Sequence, residues 1–329
     1  MRTPRILRAG RICLLLGAVG LVIPAAALAD PAPTQWPEQP EGFASTAGEG
    51  LDSTTGGAGG EVVTVTTQQE LAEYAAAEEP YVIRVADAIT IEPFGEEIRV
   101  TSNKTILGVG TSGEIVQGGF FLENVQNVII RNLTIRDAAD PEENDYDGIQ
   151  IDNSHHVWID HNRLTRMGDG LIDSRMDSSY ITVSWNILEE HNKAFGIGWT
   201  DNVTALMTIH HNRISGTEQR NPSADNLDAV HLYNNHLRDV SSYGNYARGQ
   251  TRMVLENGYF ENVRDPYYPD PGAELVESGS IVVDSEGRQE TAGEAFDPSS
   301  YYDYTLDPAD QVPALLDQGA GPQPDIGVE

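Results

Sequence analysis

The sequence predicts an all-β chain wound as a right-handed parallel β-helix, with one short helix capping its N-terminal end. Three observations predict it. Residues 157–162 (VWIDHN), 181–186 (ITVSWN), 207–212 (MTIHHN) and 230–235 (VHLYNN) share one pattern, and 252–257 (RMVLEN) follows it less cleanly. In the first four, the positions five and three before the asparagine are apolar, as is the position two after it. Alternation at period two reads as a half-buried strand. The asparagines are separated by 24, 26, 23 and 22 residues. A near-constant period of that size, carried by strands, is the mark of a solenoid of stacked coils. Thirdly, a second set of strands precedes these runs, at 148–152 (GIQID), 170–173 (GLID) and 195–198 (FGIG), so each coil holds more than one strand.

Taken in order, residues 1–29 read as a secretory signal peptide. Arg2, Arg5 and Arg8 precede an apolar run from Cys13 to Ala27, and Ala27-Leu28-Ala29 offers a small-x-small cleavage site. The expected location is extracellular, with no membrane attachment after processing. Residues 30–60, rich in Pro, Gly, Ser and Thr, read as a flexible lead-in. Residues 62–66 form a first strand. Thr67 then opens a helix to about Glu78, with Glu70 at capping-box spacing, and this helix is expected to cover the open end of the coil. Strands follow at 81–85, 89–91, 98–100, 105–107 and 128–135. The glycines of 108–113 (GVGTSG) are turn glycines, because no helix follows them as a nucleotide loop requires. Beyond Arg264 come Pro266, Pro269 and Pro271, then a strand at 280–283. The β-helix domain is therefore placed at 61–320, including a C-terminal segment along its outside, with a frayed tail at 321–329.

Composition narrows the function. The formal charge is −31, and the first 29 residues hold four arginines and no acid, so the remainder is more negative still. Nucleic acid and anionic membranes demand a basic face and are excluded as partners. The basic residues are concentrated: ten of the twenty lie between Arg163 and Arg264, which reads either as a local anionic ligand or as scattered, solvated arginines. The single cysteine, Cys13, falls in the signal, which removes thiolate catalysis and Cys-ligated metal from consideration. The eight histidines lie between His155 and His236 without zinc-helix spacing and read as coil-corner and surface residues. Trp158, Trp185 and Trp199 read as packing residues, Trp199 having a sugar-stacking face as its other reading.

Adjacent strands of a parallel sheet lie about 4.8 Å apart, so residues one period apart become neighbours. Asp145, Asp147, Asp169, Asp173 and Lys193 sit at the start of the second strand set or just before it, and Arg220 lies one period on. Four carboxylates in one groove either take up protons or are neutralised by a cation. All-oxygen ligands favour Ca²⁺. The other reading is that aspartates occupy turns for backbone reasons.

Residues 157–161 (VWIDH), 169–173 (DGLID), 184–186 (SWN), 191–193 (HNK), 196–198 (GIG) and 230–235 together resemble the secreted pectate lyases of polysaccharide lyase family 1. So do 100–106, 127–132 and 304–309, and the resemblance spans about residues 60 to 320. It implies calcium-dependent β-elimination of polygalacturonate by an enzyme expected to be monomeric. It also implies that Asp145, Asp147, Asp169 and Asp173 bind calcium, that Lys193 contacts the substrate carboxylate, and that Arg220 is the catalytic arginine of an Arg-x-Pro-x-x-Arg motif. The motif's second arginine is replaced by Asp225. Elimination builds negative charge on the carboxylate, which calcium and Lys193 would stabilise. A guanidinium is a reluctant base, and a crowded cationic pocket is what would make Arg220 one. Rival readings are a pectin lyase on methyl-esterified polymer, a glycoside hydrolase using paired acids, and a non-catalytic calcium- and carbohydrate-binding solenoid.

Overall fold

Alternating apolar residues in short strands are buried only if successive coils stack, and this is how the chain folds. The structure, a computed structural model, describes residues 36–328 apart from 38 and 140–143. The predicted signal peptide and the start of the lead-in lie outside the described residues. The strands pair in parallel, in three ladders of a β-solenoid, with isolated antiparallel bridges at Gly48–Leu51 and Leu275–Ala292. The first runs from Glu61–Val65 through His155–Asp160, Ser179–Ser184, Ala205–His210 and Leu227–Tyr233 to Glu274–Ser278. The second runs from Ala88–Thr90 to Ile281–Val283. The third holds Glu97–Arg99, Gly119–Glu123, Ile149–Asp152, Gly170–Arg175, Ser223–Asp225, Asn245–Arg248 and Tyr267–Pro269. The long strand Ile187–Gly198 turns a corner and belongs to both the second and the third.

The inward residues of all three ladders make one core, with Val157, Ile159, Ile181, Val183, Met207, Ile209, Val230 and Leu232 at 0–1% exposure. At the corner between the first two ladders the chain reverses through a left-handed residue, with φ of 53° at His161, 56° at Trp185 and 53° at His211. The next residue is the repeating asparagine, turned inward. The backbone N–H groups of Asn162, Asn186 and Asn212 donate to the Oδ1 of the next asparagine at 2.8, 3.0 and 2.9 Å. Their Nδ2 groups reach the same oxygens at 3.0–3.1 Å. A fully buried amide would be costly alone, but here every donor and acceptor meets its counterpart one coil away.

The fifth asparagine does not continue this ladder. Tyr233 pairs with Glu256, so Asn257 stands beside the corner residue Asn234, and Gly258 takes the ladder position. Ser280 Oγ accepts from Gly258 N–H at 3.1 Å, and Asn257 instead donates to the Asp307 carbonyl at 2.9 Å.

The predicted capping helix is Gln68–Ala75, with Thr67 accepting from Glu70 N–H at 3.3 Å and Leu71 and Ala75 fully buried against the end coils. Several expectations about the chain outside the coils are corrected. In the stretch read as a flexible lead-in, Phe43 and Ala44 are buried and their N–H groups donate to Thr208 and Thr182. The histidines are corner residues but not surface ones: His156, His161, His210, His211, His231 and His236 are at most 5% exposed. They stack with aromatics, as in His161–Trp185 and Trp185–His211, whose planes lie 8° and 11° apart. The C-terminal segment follows the outside of the solenoid as expected but holds a helix, Val312–Gly319, whose Val312 and Leu316 pack on Ile187 and Trp185. The tail read as frayed is docked: Gln323 N–H donates to Asn132 Oδ1 at 2.7 Å, and Gly110 N–H to the Ile326 carbonyl at 2.8 Å.

Candidate active site

The third ladder carries the candidate site, because its strands bring residues from successive coils into register. Ile149 pairs with Ile172 and Ile172 with Phe195, which places Asp147 opposite Gly170 and Gly170 opposite Lys193. Asp147 is fully buried, and its Oδ1 accepts from Gly170 N–H at 2.6 Å. Asp145 and Asp169 join it, with one carboxylate oxygen of each of the three within 4.8 Å of the others. Asp173 lies deeper along the strand, beside Gly196, whose N–H donates to its Oδ1 at 3.2 Å.

Cations interleave with these acids. Lys193 Nζ donates to Asp169 Oδ1. Arg220 reaches Asp169 Oδ2 at 3.4 Å and Asp173 Oδ2 at 3.1 Å, joining two coils. Arg220 has a left-handed φ of 59°, at the sharp bend between Arg213–Gln219 and Ser223–Asp225. His191 donates to the Asp169 backbone carbonyl at 2.6 Å, and burial holds its imidazole below its ordinary pKa. The structure therefore brings Asp145, Asp147, Asp169, Lys193 and Arg220 together, and holds Asp173 as the buried partner of Arg220.

Sequence reasoning missed Arg175, Glu97 and Arg248, and put packing first for Trp199. Arg175 donates to Asp145 at 3.2 Å and to Asp147 at 3.0 Å, and it lies two residues after Asp173, so alternation on the strand could have found it. Glu97 Oε1 accepts from Asp147 N–H at 3.0 Å, reaching past Gly119, which stands between the two coils. No sequence signal marks it, because the coil length is irregular there. Trp199 is 47% exposed and lies over the groove rather than in the core, correcting the reading of it as packing. Arg248 pairs in register with Asp225, one coil on. It lines with Gly196, Trp199, Arg220, Ser223 and Asp225 a cleft of about 260 Å³. The arginine missing from position 225 thus has a cationic neighbour in the next coil.

Crowding these acids away from water has a shared electrostatic result. Burial pushes the Glu97 carboxyl up to about 8, with Asp147 adding to the rise. Burial likewise pushes Asp147 up to about 7, against the Gly170 N–H and Arg175. Asp173 is raised by burial and by Asp147, against Arg220. Carboxylates held this far from their ordinary range favour a cation among them. Three convergent carboxylates, one buried, suit a hard cation with oxygen ligands, so the residues present fit the calcium that the resemblance implies.

A family model for pectate lyases matches residues 13–276. A pectate trisaccharide-lyase from Thermotoga sp. (strain RQ2) is 33% identical, the alignment covering 86% of this chain and 89% of the relative. One from Bacillus licheniformis is 34% identical, with 85% of each chain covered. Among solved structures, the crystal structure of pectate lyase Bsp165PelA from Bacillus sp. N165 in complex with trigalacturonate superposes with a TM-score of 0.75 at 29% identity. That match covers 86% of this chain and 98% of the other.

Proposed function

The chain belongs to the pectate lyase family, and from that premise we propose that it is a secreted, calcium-dependent enzyme cutting de-esterified polygalacturonate by β-elimination. The observation that carries this reading is the convergence on Asp169, whose two carboxylate oxygens are met by Lys193 and, at 3.4 Å, by Arg220. Two cations beside an acid cluster form a place where a uronate carboxylate can be received and a proton next to it removed. The trigalacturonate bound by the Bacillus sp. N165 relative supports an oligogalacturonate as the ligand.

Asp145, Asp147 and Asp169 would hold the calcium ion, which supplies a Lewis acid for the substrate carboxylate and offsets the charge of the acids. Asp173 orients Arg220 from below. Lys193 contributes a compact charge to the same carboxylate, where charge accumulates as the C5 proton leaves. Arg220 would take the C5 proton in its neutral form, becoming the guanidinium that Asp169 and Asp173 pair. The electron pair forms the C4–C5 double bond, and the 4-oxygen departs with the rest of the chain, taking a proton from solvent. No water is consumed, which separates this chemistry from hydrolysis. The deciding experiment follows ultraviolet absorbance with polygalacturonate, with and without chelator. Unsaturated uronide should appear, stop with chelator and resume with calcium. New reducing ends without absorbance would establish hydrolysis and overturn the reading.

A further inference from the structure

We propose that Trp199 is a sugar platform of the cleft, its indole receiving the apolar face of a galacturonate unit adjacent to the one that reacts. This deepens the pectate reading and rests on it. Trp199 is the one large exposed apolar side chain among the described residues that lines this cleft; the exposed Met176 stands opposite it one coil before, outside the lining, and Val62, Phe94, Tyr301 and Val328 do not line it either. Two guanidiniums lie over its ring as cation–π partners, with Arg220 Cζ 5.2 Å and Arg175 Cζ 5.7 Å from its centroid. They leave 47% of the residue open to solvent. A flat apolar surface rimmed by cations complements a sugar that has one apolar face and an equatorial carboxylate.

The backbone is built to hold the ring there. Trp199 adopts a left-handed φ of 58°, which turns the side chain back over the strand. Gly196 lies beneath it: a Cβ at that position would meet Trp199 Cη2 at 2.5 Å and Arg220 Cδ at 3.2 Å. Gly198, with φ of 130°, leads into the turn, where a Cβ would meet the Asp225 carbonyl at 2.7 Å. The strand thus omits side chains where the indole is laid across it. The left-handed φ is the corner conformation of this solenoid, repeated at Met176 one coil before with φ of 59°; at Trp199 it carries the ring over the strand.

Galacturonate chemistry fixes which unit sits on the ring. The axial 4-oxygen leaves the C–H bonds of C3, C4 and C5 together on the opposite face, the surface that stacks on an aromatic. Stacking that face hides the C5 hydrogen. The unit on Trp199 is therefore not the one deprotonated; it is a neighbour, held while the next unit turns its C5 toward Arg220.

The test combines steady-state kinetics on polygalacturonate for wild type, Trp199→Phe and Trp199→Ala with acrylamide quenching of tryptophan fluorescence. Quenching is measured on an Arg220→Lys background, with and without trigalacturonate. Far-ultraviolet circular dichroism and thermal unfolding establish that each variant is folded. Trp199→Ala should raise KM about tenfold with a smaller change in kcat, and Trp199→Phe should recover most of the loss. Trigalacturonate should protect the exposed fluorophore from acrylamide, and the protection should vanish in Trp199→Phe. An active wild type whose KM is unchanged in Trp199→Ala, or whose tryptophan gains no protection, overturns the platform while leaving the pectate reading intact. A wild type that neither cuts nor binds galacturonate overturns both.

Discussion

Removing calcium at alkaline pH should destabilise this protein through two named carboxylates. Glu97 and Asp147 carry pKa values raised by burial to about 8 and about 7 in the folded chain. In the unfolded chain both return to about 4. Between those limits the folded state binds more protons than the unfolded one, so stability falls as pH rises. It is fully present below pH 4 and lost by the time pH passes 8. One such group costs about 1.4 kcal/mol per pH unit across its window. From pH 5 upward that is about 3 kcal/mol for Asp147 and about 4 kcal/mol for Glu97. The two are linked by the Asp147 N–H at 3.0 Å and repel each other when charged, so their titrations are shared. A net loss of about 4 kcal/mol is expected, equivalent to about 8 °C in Tm for a chain of this size. Thermal unfolding in chelator from pH 5 to 9, paired with calcium-containing samples, measures it. The paired samples report the background from the general negative charge, and calcium should recover most of the difference. Glu97→Gln, which keeps an oxygen for the Asp147 N–H, should remove about half of the slope in chelator. A chelated Tm that stays flat or rises over this range, or a Glu97→Gln slope equal to wild type, would refute the argument.

Three further outcomes are expected. Arg220→Lys keeps the charge but loses the planar guanidinium whose Nη1 meets both Asp169 and Asp173; turnover should fall by about three powers of ten, or about 4 kcal/mol of barrier, while calorimetry detects unchanged calcium binding. Retention of more than a tenth of turnover would assign the base elsewhere. Asn186→Ala strips partners from the buried Asn162 and from the Ile159 carbonyl, and should cost about 3 kcal/mol in denaturant unfolding with little change in KM. Activity against salt should pass through a shallow optimum, since screening over about 10 Å relieves general repulsion of the polyanion before it weakens Lys193 and Arg220; a steady fall from the lowest salt would show that the local cations dominate.

The coils were legible because the forces that make them are periodic. Apolar alternation ending in an asparagine repeats in sequence just as it stacks in space, and the site acids at 145, 147 and 169 inherit that register. Three kinds of feature were not legible. Asn257 matches the pattern by identity yet occupies the neighbouring corner position, because a one-residue difference in coil length moves it out of the amide ladder. Glu97 reaches the acids from two coils away, where spacing is irregular and no repeat announces it. The buried histidines illustrate a third limit. Composition marks them as polar, whereas stacking on Trp185 and Tyr233 makes them aromatic packing groups.

The C-terminal segment has a consequence for cooperativity. A solenoid whose coils touch only their neighbours is a one-dimensional system that can fray from either end. Here Asp307 accepts from Asn234 and Asn257 near one end of the stack. The helix Val312–Gly319 grips the middle at Trp185, and Gln323 and Gly327 bond Asn132 and Arg84 toward the other end. The segment runs back along the stack as a strap, tying late coils to early ones through contacts of very long sequence separation. Its closure entropy is recovered only once the coils beneath it are wound, so it is expected to close late in folding. Once closed, opening an end coil also strains the strap, and a chain of weakly coupled repeats becomes one cooperative unit.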